Sequence, residues 1–266
     1  MSMSVWAVEP PITVLILARL PTPRIHTLLV TKEWKAVLEK AGILDKYPHI
    51  PQFISHGADA GIVPIHSTFS PPNHPSITSN QAIFNEIVDI EFQKGHYWGP
   101  FLKTELKCIL GPFQTLPLSL IPKPGKPGKF CLIQNLSYPR NMIGIQSINS
   151  SIKTDLYLCT WGTFLMVAVI VWSLPPGSLR ACRDVSEAYR IIPLAKDQWP
   201  GVVICLEEDS PSNPKLFALN TCTCFGKKSS RGLFGYFGDA LLDIFCAAGV
   251  GPSLRWVDDF VFFLMQ

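Results

Sequence analysis

Charge is scarce in this chain. Asp, Glu, Lys and Arg make up 16% of 266 residues and leave a net charge of +3, too small to mark the whole chain as a binder of polyanions. The eight cysteines show no paired metal-finger spacing, because Cys222-Thr223-Cys224 separates its thiols by a single residue. Reduced, mostly buried thiols in an intracellular protein are expected. The start, Met1 to Pro11, contains Glu9 and Pro10 and lacks a basic segment followed by an apolar one, so no secretory signal is read there. No internal repeat is visible. What is plentiful is apolar: 47% hydrophobic residues can build the core of one large domain or two small ones, and the chain reads as globular.

The few charges are unevenly placed. Residues 94–140 hold seven Lys or Arg (Lys94, Lys103, Lys107, Lys123, Lys126, Lys129, Arg140) against one acid, Glu105. Such a stripe suits a polyanion, since each neutralised phosphate releases counterions, although a solvated loop face has the same composition. Residues 1–80 read as an N-terminal extension with a proline-rich linker and suggest no chemistry. Their histidines His49, His56, His66 and His74 match no metal-ligand spacing and are read as surface or linker residues.

From Asn80 a helical period begins, with Ile83, Ile87 and Ile90 on one face, Ser79-Asn80 as a cap and Gly95 as a stop. A short helix over 103–110 ends at Gly111-Pro112. Two strands, 116–121 and 129–136, flank a Pro-Gly-rich tip with lysines. A strand ending at Asp184, a strand pair over 201–205 and 216–219, and a helix over 231–248 follow. The expected class is α+β.

The last stretch is the most informative. In Trp256-Val257-Asp258-Asp259-Phe260-Val261 two adjacent carboxylates lie between apolar runs, a strand–turn–strand pattern. A turn between core strands holds carboxylates rigidly yet within reach of solvent, which suits a divalent cation; an ordinary turn is the alternative. Asp184, at the end of its own strand, supplies a third carboxylate. Two Mg²⁺ ions about 3.5–4 Å apart need such groups from separate strands.

Three blocks occur in order: Asp184-Val185-Ser186-Glu187-Ala188-Tyr189, then Phe225-Gly226 with Ser229-Ser230, then Trp256-Val257-Asp258-Asp259. Together they resemble the three palm motifs of reverse transcriptases. The stretch 118–137, with Lys123, Lys126 and Lys129, is similar to the fingers hairpin of the same enzymes. The likeness is greatest to retrotransposon polymerases, and the wording around Gly111-Pro112-Phe113-Gln114 and Ala218-Leu219-Asn220-Thr221-Cys222 is similar to elements that carry a tyrosine recombinase. The resemblance covers residues 80–266 and implies an incomplete right hand, with fingers over 81–155 and a partial palm over 156–266. It also implies RNA-directed DNA polymerase activity on an RNA or DNA template with primer, using deoxynucleoside triphosphates and Mg²⁺ or Mn²⁺.

The resemblance assigns roles residue by residue. Asp184, Asp258 and Asp259 are the catalytic metal ligands. Val185, Glu187 and Ala188 belong to the nucleotide site, the last two offering backbone N–H groups to the triphosphate. Tyr189 is the steric gate against a 2′-hydroxyl, Phe225 and Gly226 stack beneath the nascent base pair, and Lys123, Lys126 and Lys129 clamp the triphosphate. Cys131 stands where the family has Arg, Asn135 where many relatives have Asp, and Lys227-Lys228 where small apolar residues are usual. Arg183 is placed to compete for the metal carboxylates. Gln266 follows Asp259 by seven residues, so the thumb is expected to be missing and synthesis to be weak or absent. A non-catalytic remnant with residual nucleic-acid affinity remains open beside the active polymerase. A metal-dependent nuclease would need further groups to position water.

One segment, residues 156–174, is uncharged and close to the ~20 residues that span a bilayer. Thr160, Gly162 and Thr163 interrupt it and Pro175-Pro176-Gly177 end it. A buried helix is expected, where the resembled family packs one beneath the palm, with a single-pass membrane protein as the weaker alternative.

Overall fold

The computed structural model describes residues 25–207 and 214–265. In chain order the elements are α1 (Thr31–Lys40), α2 (His49–His56), α3 (Gln81–Gln93), β1 (Tyr97–Leu102), α4 (Lys103–Leu110), β2 (Thr115–Leu116), β3 (Leu118–Pro122) and β4 (Phe130–Gln134). Then come α5 (Ile148–Ser151), α6 (Phe164–Ser173), β5 (Leu179–Asp184), β6 (Val203–Glu207), β7 (Leu216–Asn220), α7 (Ser230–Ala247), β8 (Ser253–Trp256) and β9 (Asp259–Leu264). Helices and strands are interspersed along the chain and the strand pairing is mainly antiparallel, compatible with the α+β class expected from the sequence.

Among the described residues three sheets form: β1-β7-β6-β2, the hairpin β3-β4, and β5-β9-β8. The first is the buried one. Val203, Ile204 and Cys205 of β6 and Phe217, Ala218 and Leu219 of β7 are fully buried, so both faces are covered and the strands read as unbroken apolar runs. Trp199, Phe113 and Phe234 fill the main core around it.

Residues 25–80 take part in this core. Leu38 of α1 and Ile50 and Ile54 of α2 are buried in it. The stretch 66–75, read as a turn-rich linker, is pinned along β2 and β3: the Phe69 N–H donates to the Phe113 carbonyl at 3.0 Å, and the Leu118 N–H donates to Asn73 Oδ1 at 3.0 Å. His49 is not a surface residue, since its ring lies 4.2 Å from that of Tyr236 and its Nε2 is buried without a partner. Asn80 stands at the start of α3 as expected, but its side chain donates back to the Ser76 carbonyl rather than capping the helix.

The apolar stretch 156–174 departs most from expectation. Only Phe164–Ser173 is helical, starting where Thr163 Oγ1 accepts from the Met166 N–H at 3.3 Å. None of its residues is buried; Phe164 is 87% and Trp172 92% exposed. The buried helix expected over 156–174 is not what forms: a shorter helix is present, and its apolar surface is open. At about 15 Å it reaches half the thickness of a bilayer core, and no described helix is long and apolar enough to cross a membrane.

The long helix α7 positions the last hairpin through its glycines. Gly232, Gly235 and Gly238 recur every three residues on one face. A Cβ on Gly232 would lie 2.2 Å from the Tyr157 carbonyl oxygen, and one on Gly238 would lie 2.8 Å from Arg255 Nε. The missing side chains let β8 and the 157–159 segment lie directly against the helix.

Candidate active site

β5 and β9 pair antiparallel with Asp184 opposite Asp259, and β9 pairs with β8 with Asp259 opposite Trp256. That register leaves Val257 and Asp258 as the two-residue turn. Val257 has φ 55°, a left-handed conformation that a β-branched residue adopts only when its surroundings impose it. Here the imposing contact is a crossed bond: the Val185 N–H, one residue past Asp184, donates to the Asp258 carbonyl at 3.0 Å. The three carboxylates that the sequence singled out thus sit together at one end of one sheet.

Burial pushes the Asp258 carboxyl above its ordinary range, and the charges of Asp184 and Asp259 add to that shift. Mutual repulsion among carboxylates is the electrostatic signature of a cation site. Hard carboxylate oxygens from a strand end and an adjoining turn fit Mg²⁺ or Mn²⁺ by donor type. Among the described residues, however, no group of three or more His, Cys, Asp or Glu side chains stands close enough to hold a metal ion as placed.

Beyond Asp184 the chain turns tightly. Glu187 has φ 55°, and its carbonyl accepts from the Arg190 N–H at 2.6 Å. Tyr189 is buried, with its ring 4.6 Å edge-on from Phe225 and 6.1 Å from Phe234. Burial raises the Tyr189 phenol, with the Asp258 charge contributing next, so the tyrosine and the Asp258 turn are near neighbours. Phe225 is 63% exposed and precedes Gly226, whose φ of 87° suits glycine. The Gly226 backbone passes close to β4, and its carbonyl accepts from Asn149 Nδ2 at 2.8 Å.

Lys123, Lys126 and Lys129 are exposed at the tip of the β3–β4 hairpin. The tip is closed by a bond from the Lys123 N–H to the Lys129 carbonyl at 2.8 Å. Cys131 is exposed on β4 opposite Ile121. Arg183 donates to the Cys182 carbonyl at 2.9 Å rather than pairing with Asp184, so the expected competition for that carboxylate is not seen.

Sequence reasoning missed a polar network beneath this surface. Arg190, 8% exposed, pairs with Glu91 of α3, donates to Asn220 Oδ1 at 2.6 Å and reaches the Thr223 carbonyl at 3.4 Å. His96 Nδ1 lies 3.0 Å from the same Glu91 carboxylate. Asn220 passes the chain on, donating to Gln134 Oε1 at 3.0 Å, and Gln134 donates to the Tyr97 hydroxyl at 3.3 Å. A second ion pair joins Lys94, just past α3, to Glu187. The only hint in the sequence was an arginine inside an apolar run, Tyr189-Arg190-Ile191-Ile192. Glu91, Gln134, Glu187, Arg190, Phe225 and Gly226 line a cavity of about 310 Å³ with Ile87, Tyr97, Leu132, Ile133 and Cys224.

Next to this network Lys227 is an oddity. It is 4% exposed, its Nζ has no hydrogen-bond partner, and burial lowers its ammonium to about 8, with Arg190 nearby adding to the shift. Lys228 is held only through its backbone, whose N–H donates to Asn149 Oδ1 at 3.0 Å.

No protein-family model matches this chain, and no curated protein matches it.

Proposed function

We propose that this chain carries the fingers and palm of a reverse transcriptase, transferring deoxynucleotides to a primer 3′-hydroxyl. The observation that carries the reading is the pairing of Asp184 with Asp259 across β5 and β9, with Asp258 in the adjoining turn and Tyr189 beside it. Asp184, Asp258 and Asp259 would hold one cation, and Asp184 with Asp258 a second. Bound there, the cations would lower the pKa of the attacking hydroxyl and stabilise the leaving pyrophosphate. The chain's own residues do the positioning. The turn over 185–189 presents backbone to the triphosphate, and the Tyr189 ring, braced by Phe225 and Phe234, closes the space a 2′-hydroxyl would need. The exposed lysines of the hairpin suit a mobile polyanion clamp.

A second reading, a non-catalytic remnant with residual nucleic-acid affinity, is favoured by Lys227. A buried ammonium without a partner beside Arg190 is a frustration that a working site rarely keeps. Primer extension on poly-rA with dTTP and Mg²⁺, comparing the native chain with Asp258→Ala, separates the two. Extension that the substitution abolishes supports the polymerase; no extension from the native chain supports the remnant.

A further inference from the structure

We propose that Lys94 is a positioning residue for the nucleotide site, acting through Glu187. The inference rests on the polymerase reading of that site.

The turn after Asp184 has a charge problem. Its backbone faces the place assigned to a triphosphate, yet Glu187, in the middle of the turn, carries a carboxylate that lines the 310 Å³ cavity next to Phe225 and Gly226. An uncompensated carboxylate there repels a polyanion. Lys94, just past the last turn of α3, donates its ammonium to Glu187 Oε1. The pair cancels that charge and draws the side chain toward α3. It also restrains a backbone that needs restraint, because Glu187 is one of three non-glycine residues with positive φ among the described residues.

The same end of α3 grips the turn twice. Glu91, one helical turn earlier, holds Arg190, three residues after Glu187, and His96 holds Glu91 in place. Two ion pairs between the same helix end and the same turn fix its orientation as well as its distance. Glu91–Arg190 is largely shielded, with side chains 19% and 9% exposed, and braces the fold. Lys94–Glu187 has side chains 43% and 37% exposed, so it adds little to global stability and can be broken without unfolding the chain. Its effect lies in the geometry and charge of the turn. Lys94 is set apart from the hairpin lysines, for which the fingers resemblance provides, because it caps the end of a helix that no motif marks.

The test uses the full chain with Lys94→Met, and with the exchanged pair Lys94→Glu, Glu187→Lys. In primer extension, Lys94→Met raises KM for Mg·dTTP about fivefold, the upper range for an exposed ion pair, with kcat little changed, and the exchanged pair recovers most of the loss. An unchanged KM overturns the proposal, as does a raised KM that the exchange fails to rescue, since Lys94 would then act on phosphate directly. Hydrogen exchange of the 186–190 amides reads the clamp without activity. Exchange there quickens about fivefold in Lys94→Met and returns in the exchanged pair. Equal exchange rates in native chain and Lys94→Met refute the clamp. A native chain that neither extends primers nor shows protection by Mg·dTTP, yet loosens at 186–190 in Lys94→Met, refutes the polymerase reading and leaves the clamp as structure alone.

Discussion

Arg255 donates from Nε and Nη2 to Asp239 Oδ1 at 3.0 and 2.7 Å, which ties β8 to α7 three residues before the Asp258 turn. The guanidinium is 1% exposed, lies over Gly238, and gives two further N–H groups to the Gly235 and Val257 carbonyls at 3.2 Å each. Because the last bond reaches the turn itself, the pair fixes the direction in which Asp258 points as well as the packing of β8. Buried arginines keep their charge, so satisfying the donors is obligatory.

The first prediction concerns that contact. Gly238→Ala places a methyl group 2.8 Å from Arg255 Nε and should cost about 1–3 kcal/mol by overpacking. In an Arg255→Ala background, itself destabilised, the same change should cost far less. A double-mutant cycle by urea unfolding checks this; additive penalties would show that the glycine is needed for some other reason.

Lys227 sets a pH dependence. Its folded pKa, about 8, lies below the ordinary 10.5, so between these values the unfolded chain binds more protons and stability rises with pH. The stabilisation is complete above 10.5 and is lost as pH falls through 8, a swing on the order of 3 kcal/mol for a fully buried group. Lys227→Met should remove this slope and make the chain more stable at pH 7. Denaturation at pH 7, 8.5 and 10 reads the difference between the two proteins; parallel curves would refute the assignment.

Asp258 runs the opposite way. Its carboxyl is raised, so ionising it at neutral pH weakens the fold, and the stabilisation present at acid pH is lost as pH rises through the folded pKa. Asp258→Asn should therefore raise the melting temperature in metal-free buffer while abolishing any rise on adding Mg²⁺. Loss of stability in metal-free buffer would show that the carboxylate braces the turn instead of straining it.

The exposed helix α6 gives a fourth prediction. Phe164, Leu165, Val169 and Trp172 present apolar surface with no covering element among the described residues. Phe164→Gln with Trp172→Gln should reduce binding of a hydrophobic dye and raise the solubility limit, leaving the unfolding midpoint within about 0.5 kcal/mol of native. A large drop in stability would mean that α6 packs more tightly than its exposure indicates.

Much of this protein was legible in the chain. The helices α3, α4 and α7, the lysine hairpin and the strand–turn–strand around Asp258 all followed from local signals, because apolar period, glycine stops and turn residues act within a few positions. The two carboxylate-bearing stretches, around Asp184 and around Asp258-Asp259, were equally plain, and the register of β5 against β9 brings them to one end of a sheet.

Tertiary structure alone decided the rest. Glu91 with Arg190 and Lys94 with Glu187 are separated by 99 and 93 residues, and Arg255 with Asp239 joins a strand to a helix face marked only by three glycines. No local pattern records such partners, since a charged residue looks the same in sequence whether it meets water or a buried counter-ion. The exposure of α6 was hidden for a related reason: composition makes a segment apolar, but only the arrangement of its neighbours determines whether anything covers it.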